Sequence, residues 1–232
     1  SGKSTLLRRL ELDLAIDALR AGPTAGAAAP LTWFVPLNQY RDPGGGAGGD
    51  IGPPEPGAWL AERWSRRFPS LPSFASLVAD GRLVLLLDGL NEMPHRSAED
   101  FGALVRRWQR FVADLAVMAS GARVVFSCRS LDYSAPLSTP DLRVPQVVVE
   151  PMSDGQIRAF LDAYAPSLAT ELWAQLADRG QVPLVRSPFL ARLLVEQALH
   201  EGTRAVSQAA LITGFVRHAL RREVERGNPL LE

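Results

Sequence analysis

Residues Arg82–Pro94 read RLVLLLDGLNEMP, and this stretch restricts the fold more tightly than any other. Leu83 to Leu87 are apolar without a break and run directly into an acid, Asp88. A short apolar run of this kind marks a strand buried on both faces, as in a parallel sheet. An ionised carboxylate is costly there unless it meets a cation. The carboxyl ends of parallel strands are also where open α/β sheets bind ligands. Asp88 therefore reads as a metal-facing acid at a strand's carboxyl end. Gly89 lets another group pass close by, and Glu92, four residues on, can polarise a water. The competing reading is a plain turn in which Asp88–Gly89 reverses the chain.

The sequence begins SGKST. A phosphate-binding loop reads G-x-x-x-x-G-K-[ST] between a strand and a helix. Gly2, Lys3 and Ser4 match its last three positions, so the spacing predicts a first glycine and its strand upstream of Ser1. Leu6, Leu7, Leu10 and Leu14 recur at helical spacing and predict an amphipathic helix opened by Ser4. A helix amino terminus offers free N–H groups and a positive dipole end to an anion. In such a loop Lys3 reaches the outer phosphates, the Ser4 hydroxyl binds magnesium and Thr5 sits near the inner phosphate. Among 25 basic residues, Lys3 is the only lysine. A compact charge on a flexible stem suits a phosphate cradle where a planar guanidinium does not. The alternative is chance placement, against which Asp88 counts.

A chain of 232 residues, 47% hydrophobic, can bury one large or two small cores. The formal net charge of zero argues against a dominant nucleic-acid or membrane surface. The single cysteine, Cys128, allows no internal disulfide, which fits a reducing, cytoplasmic setting. No apolar run approaches membrane-spanning length.

The remaining elements follow in order. Thr32–Leu37 reads as a strand whose Pro36 marks an edge or an end. Asp42–Gly57, rich in glycine and proline, reads as a surface loop. Helices are expected around Trp59–Arg67 and Phe74–Ala79. A longer one follows Ser97-x-x-Asp100, a capping-box variant, with Phe101, Leu104, Val105, Trp108, Phe111, Val112 and Leu115 as its core stripe. Arg123–Ser130 reads as a buried strand ending near Arg129, a candidate γ-phosphate sensor or a surface ion-pair partner. Cys128 reads as a small core residue, and Val144–Val149 as one more strand. From Pro151 onward only helices are expected. Ser153-x-x-Gln156 caps the first, with Met152 stapled to Ile157. The second covers Leu168–Ala177, and Ser187–Pro188 opens the third. The last runs from Gln208 to Arg226. His95, His200 and His218 are scattered, and no Cys/His metal cluster is evident.

The succession SGKST, LVLLLDGLNEM, VVFSCRS, VVVEPMSDGQIRAFL and RSPFLARLL resembles the NACHT family of signalling P-loop NTPases, of the STAND class, over nearly the whole chain. The resemblance implies an α/β, three-layer P-loop fold with a parallel sheet, then an all-helical lid. Residues 1–150 would be the NTPase core lacking its first strand, 151–205 the lid, and 206–232 the start of a further helical or winged-helix segment. It implies ATP or ADP with Mg2+ as ligands. Gly2, Lys3, Ser4 and Thr5 would be the phosphate loop, and Ser4 and Asp88 the magnesium residues. Glu92 would place the attacking water, Arg129 would be the first sensor, and Pro188 would touch the adenine. The family usually has a second acid where this chain has Asn91, a departure that bears on hydrolysis more than on binding. The family's ATP form opens and self-associates in response to a trigger, and bacterial relatives act in phage defence. Two other readings stand beside it: a P-loop ATPase acting on nucleic acid or in transport, and a scaffold with a decayed site. Neutral charge without a basic stripe counts against the first. Turnover and its stimulation by nucleic acid separate all three.

Overall fold

The computed structural model describes residues 2–21, 30–41, 53–118, 121–129 and 136–202, with residues 209–210, 212–214 and 216–217. Contacts divide the chain into two compact units, Lys3–Val148 and a second made of Ser1–Gly2 with Val149–Glu232.

The first unit is mixed α/β. Strands β1 (Leu31–Pro36), β2 (Leu83–Asp88) and β3 (Arg123–Phe126) form a parallel sheet in the order β1-β2-β3. The central strand is the apolar run, buried from Leu83 to Leu87. Leu31 pairs with Leu83 and the register holds to Pro36 opposite Asp88. Pro36 sits last in an edge strand, where its missing N–H removes no ladder bond.

The two faces of the sheet divide by the period of two along a strand. Phe34, Val84 and Leu86 face helix α1 (Lys3–Arg20), through Leu7. Trp33, Val35, Leu83, Leu85 and Leu87 face α2 (Pro56–Arg67), α3 (Phe74–Ala79) and α4 (Ala98–Met118). The expected stripe on α1 is corrected here. Leu7 is buried and Leu14 partly so, while Leu6 and Leu10 are exposed. Leu6 and Leu10 lie roughly 50–90° around the helix from the Leu7–Leu14 line, on its flank.

On the opposite face, Trp108 is the centre of a ring cluster. Tyr40, Phe111, Phe126 and Trp59 stand edge-on around it at 5.2, 5.6, 5.7 and 6.4 Å. Pro56 at the first turn of α2 uses a position whose N–H has no helical partner. The loop expected over Asp42–Gly57 therefore gives way to helix at Pro56; its residues 42–52 lie outside the described ones. Ser97 caps α4 by accepting the Asp100 N–H at 3.1 Å.

Two strand expectations are corrected. β3 stops at Phe126, and its residues alternate between exposed and half-buried. With a ladder partner on one side only among the described residues, it is less covered than β2. Val144–Val149 is not a strand: Val147 is 94% exposed and Val148 71%. β-branched residues favour extended backbone, but a strand also needs an edge in register, and none among the described residues takes this run.

In the second unit, α5 (Asp154–Tyr164), α6 (Ala169–Asp178) and α7 (Pro188–Glu201) close over Ile157, Leu161, Leu172, Leu176 and Leu194. Ser153 and Gln156 form the full reciprocal capping box. Met152 and Arg186 are tied by the Met152 N–H to the Arg186 carbonyl and by Arg186 Nη1 to the Met152 carbonyl, both at 2.8 Å. Arg186 Nη2 also pairs with Asp154 at 2.7 Å. Pro188 opens α7 as expected, but Ser187 makes no side-chain capping bond. The helix expected over Gln208–Arg226 lies largely outside the described residues. No helix among the described residues is long and apolar enough to cross a membrane.

Candidate functional site

Asp88 stands half-buried at the carboxyl end of β2. Its Oδ1 accepts the Ser127 hydroxyl at 2.5 Å, and Ser127 Oγ accepts the Gly89 N–H at 2.9 Å. The serine backbone adds two bonds: its N–H reaches the Leu87 carbonyl at 2.9 Å, and its carbonyl takes the Leu90 N–H at 2.8 Å. One buried serine just past β3 thus fixes the acid and the turn that follows it. Asp88 Oδ2 has no hydrogen bond among the described residues.

The turn itself brings Glu92 back. Gly89 has φ 77° and ψ 55°, a left-handed conformation that favours glycine. A Cβ on Gly89 would stand 3.0 Å from both Cδ and Oε2 of Glu92. The glutamate therefore folds over the glycine beside Asp88. A 3-10 turn over Leu90–Glu92 makes this possible, anchored by the buried Leu90 and Met93. Asn91 Oδ1 accepts the Arg129 N–H at 3.1 Å, which draws the start of the β3 exit loop to the same turn. The Glu92 carboxylate and the Arg129 guanidinium are exposed, and neither has an ion-pair partner among the described residues.

Lys3, Ser4 and Thr5 form the first turn of α1, with Lys3 half-buried and the other two exposed. No acidic residue lies in that turn, so the positive end of the helix is not offset from within. Leu7, one turn later, packs in a cluster with Leu86, two residues before Asp88 on the same strand face. Both candidate segments are therefore anchored to one small patch of core. In the second unit Pro188 is exposed at the start of α7, and a Cβ on Gly2 would stand 3.8 Å from its Cγ.

The structure thus gathers Asp88, Glu92 and, through Asn91, Arg129. Two participants were not foreseen: Ser127, which holds Asp88, and Asn91, which ties the two turns. No sequence signal marks Ser127; the sheet register places it. Leu87 pairs with Phe126, so the next residue along falls opposite Asp88.

Among the described residues no group of three or more His, Cys, Asp or Glu could hold a metal by itself. What is present fits a magnesium held with a nucleotide: one acid with an anchored oxygen and an open one, and a serine hydroxyl at a helix start. Mg2+ keeps waters and shares phosphate oxygens, so one or two protein ligands suffice. Comparison with protein-family models, with curated proteins and with solved structures returns no match to this chain.

Proposed function

We propose that this chain is a nucleotide-operated switch of the NACHT kind: a P-loop NTPase that binds ATP or ADP with Mg2+ and hydrolyses ATP slowly. The observation that carries the reading is the pair of acids at the carboxyl end of the central parallel strand. Asp88 is steadied by Ser127 with one oxygen open, and Glu92 is folded over Gly89 beside it. In this reading Gly2, Lys3, Ser4 and Thr5 hold the phosphates, and Ser4 and Asp88 hold magnesium. Arg129 senses the γ-phosphate and Pro188 contacts the base. Magnesium supplies charge neutralisation on the phosphates. Glu92 orients the attacking water and accepts its proton. With Asn91 in place of a second acid, slow turnover suits a timer. The ATP form self-associates, the trigger is a separate ligand or protein, and the setting is cytoplasmic, in bacterial defence.

The test is paired. Lys3→Ala removes a phosphate contact and should weaken ATP binding and silence the switch. Glu92→Gln keeps shape and loses charge, so ATP should bind as in the wild type while turnover falls ~10²–10⁴-fold, as for loss of a general base. This variant should also accumulate as the ATP-bound oligomer. ATP affinity by calorimetry, phosphate release and oligomer size decide the matter. Wild-type turnover in Glu92→Gln removes Glu92 as the catalytic acid. Unchanged ATP binding in both variants removes the phosphate-loop reading.

A further inference from the structure

A second concave site lies in the first unit, along the side of β1 away from β2. A cavity of about 560 Å3 is lined by Arg8 from α1, by Arg63, Arg66 and Arg67 from α2, and by Phe34 and Phe68. That volume lies within the range of small-ligand sites.

Its charge is one-sided. The Glu11 carboxylate also lines it, but both oxygens are engaged: Oε1 takes the Phe34 N–H at 3.0 Å and Oε2 takes Arg8 at 3.2 Å. Glu62 holds Arg66 at 2.5 Å. Arg63 and Arg67 have no carboxylate partner among the described residues. Arg63 donates instead to Gln39 and lies 4.8 Å over the Trp59 ring. Arg67 lies 5.4 Å over the Phe68 ring. Burial first, then repulsion from Arg67 and Arg66, push the Arg63 guanidinium below its usual value. An anion would offset the repulsion.

A simpler account is that Arg66 and Arg67, in the last turn of α2, offset the negative end of its dipole. That covers two exposed side chains. It does not explain a third, Arg63, half-buried on the same hollow and held by Gln39.

We propose that this cavity binds a small phosphorylated molecule of nucleotide size, its phosphate between Arg63 and Arg67 and its apolar part against Phe68. Guanidinium forks match phosphate oxygens two at a time, which a lysine cannot do. Half-buried Phe68 supplies the apolar wall that a bare phosphate would not need, whereas the Phe34 ring is buried under the Arg8 guanidinium, 3.6 Å from its centre.

Calorimetric titration with AMP tests this, carried out with the whole chain in a Lys3→Ala, Thr5→Ala background that removes both the outer- and the inner-phosphate contacts of the proposed loop. AMP should bind there, and adding Arg67→Gln, an exposed position, should weaken it tenfold or more. Arg63→Gln should do the same, with thermal melting to show that the variant is folded; if it melts early, Arg67→Gln decides. Inorganic pyrophosphate should bind more weakly than AMP. Absence of AMP binding in this background overturns the proposal, as does binding that Arg67→Gln leaves unchanged. Equal affinity for pyrophosphate and AMP overturns the apolar contact.

Discussion

Ser127 does more than its size suggests. It is 7% exposed, and its hydroxyl both donates to Asp88 and accepts from the Gly89 N–H. Ser127→Ala leaves that buried N–H without its acceptor, which costs about 1–3 kcal/mol, and frees Asp88 to change rotamer. Urea unfolding should show a lower midpoint with an unchanged slope. A double-mutant cycle with Asp88→Ala should be non-additive, because the two side chains share a bond. Additive losses would mean that the serine acts on the backbone alone. Here the limits of sequence reading are physical. Asp88 was legible because an acid ending an apolar run is a local contradiction that only a strand end resolves. Its partner lies 39 positions away, and no local pattern announces a bond that depends on two strands lying side by side.

Helices were more legible than strands for a related reason. A helix satisfies its own backbone, so its caps and stripe are written within a few residues. Ser153 and Gln156 announced α5, and both bonds of their box are present, with the Gln156 N–H at 3.3 Å from Ser153 Oγ and the Ser153 N–H at 2.9 Å from Gln156 Oε1. Ser153→Ala should cost about 1 kcal/mol and lower the melting temperature of the second unit. Ser153→Asn should restore most of it, since asparagine caps as well as serine. Equal melting of Ser153→Ala and wild type would show that the Met152–Arg186 ties alone fix the start of α5. Strands depend on a neighbour. The Val144–Val149 run has the composition of a strand and lies exposed and unladdered, while the run that became β2 found partners on both sides. The edge of β1 shows how tightly such a side can be managed: Glu11 reaches across from α1 to take the Phe34 N–H, which occupies a donor that another strand could have used.

At the scale of the whole molecule, charges balance, and the described residues bury three clusters, one on each face of the sheet and one among the helices of the second unit. Its alkaline limit therefore depends on individual buried groups more than on net charge. Tyr40 is the clearest. It is fully buried against Trp59 and Trp108, and its hydroxyl donates to the Pro54 carbonyl at 2.7 Å. Burial pushes the phenol up to about 12, with the Arg107 guanidinium pulling the other way. An unfolded tyrosine loses its proton near 10. Between those values the native state holds the proton and the unfolded state does not, so stability falls as pH rises. The contribution is intact below about pH 10 and is lost by about pH 12, and a gap of that size is worth about 2–3 kcal/mol. Tyr40→Phe removes the titrating group. It should be less stable at neutral pH by about 1 kcal/mol, for the lost bond to Pro54, yet flatter across the alkaline range. Denaturant midpoints of both proteins at neutral pH and at about pH 11 measure the difference. Converging profiles place the loss on the buried phenol; profiles that stay parallel would assign it to other groups.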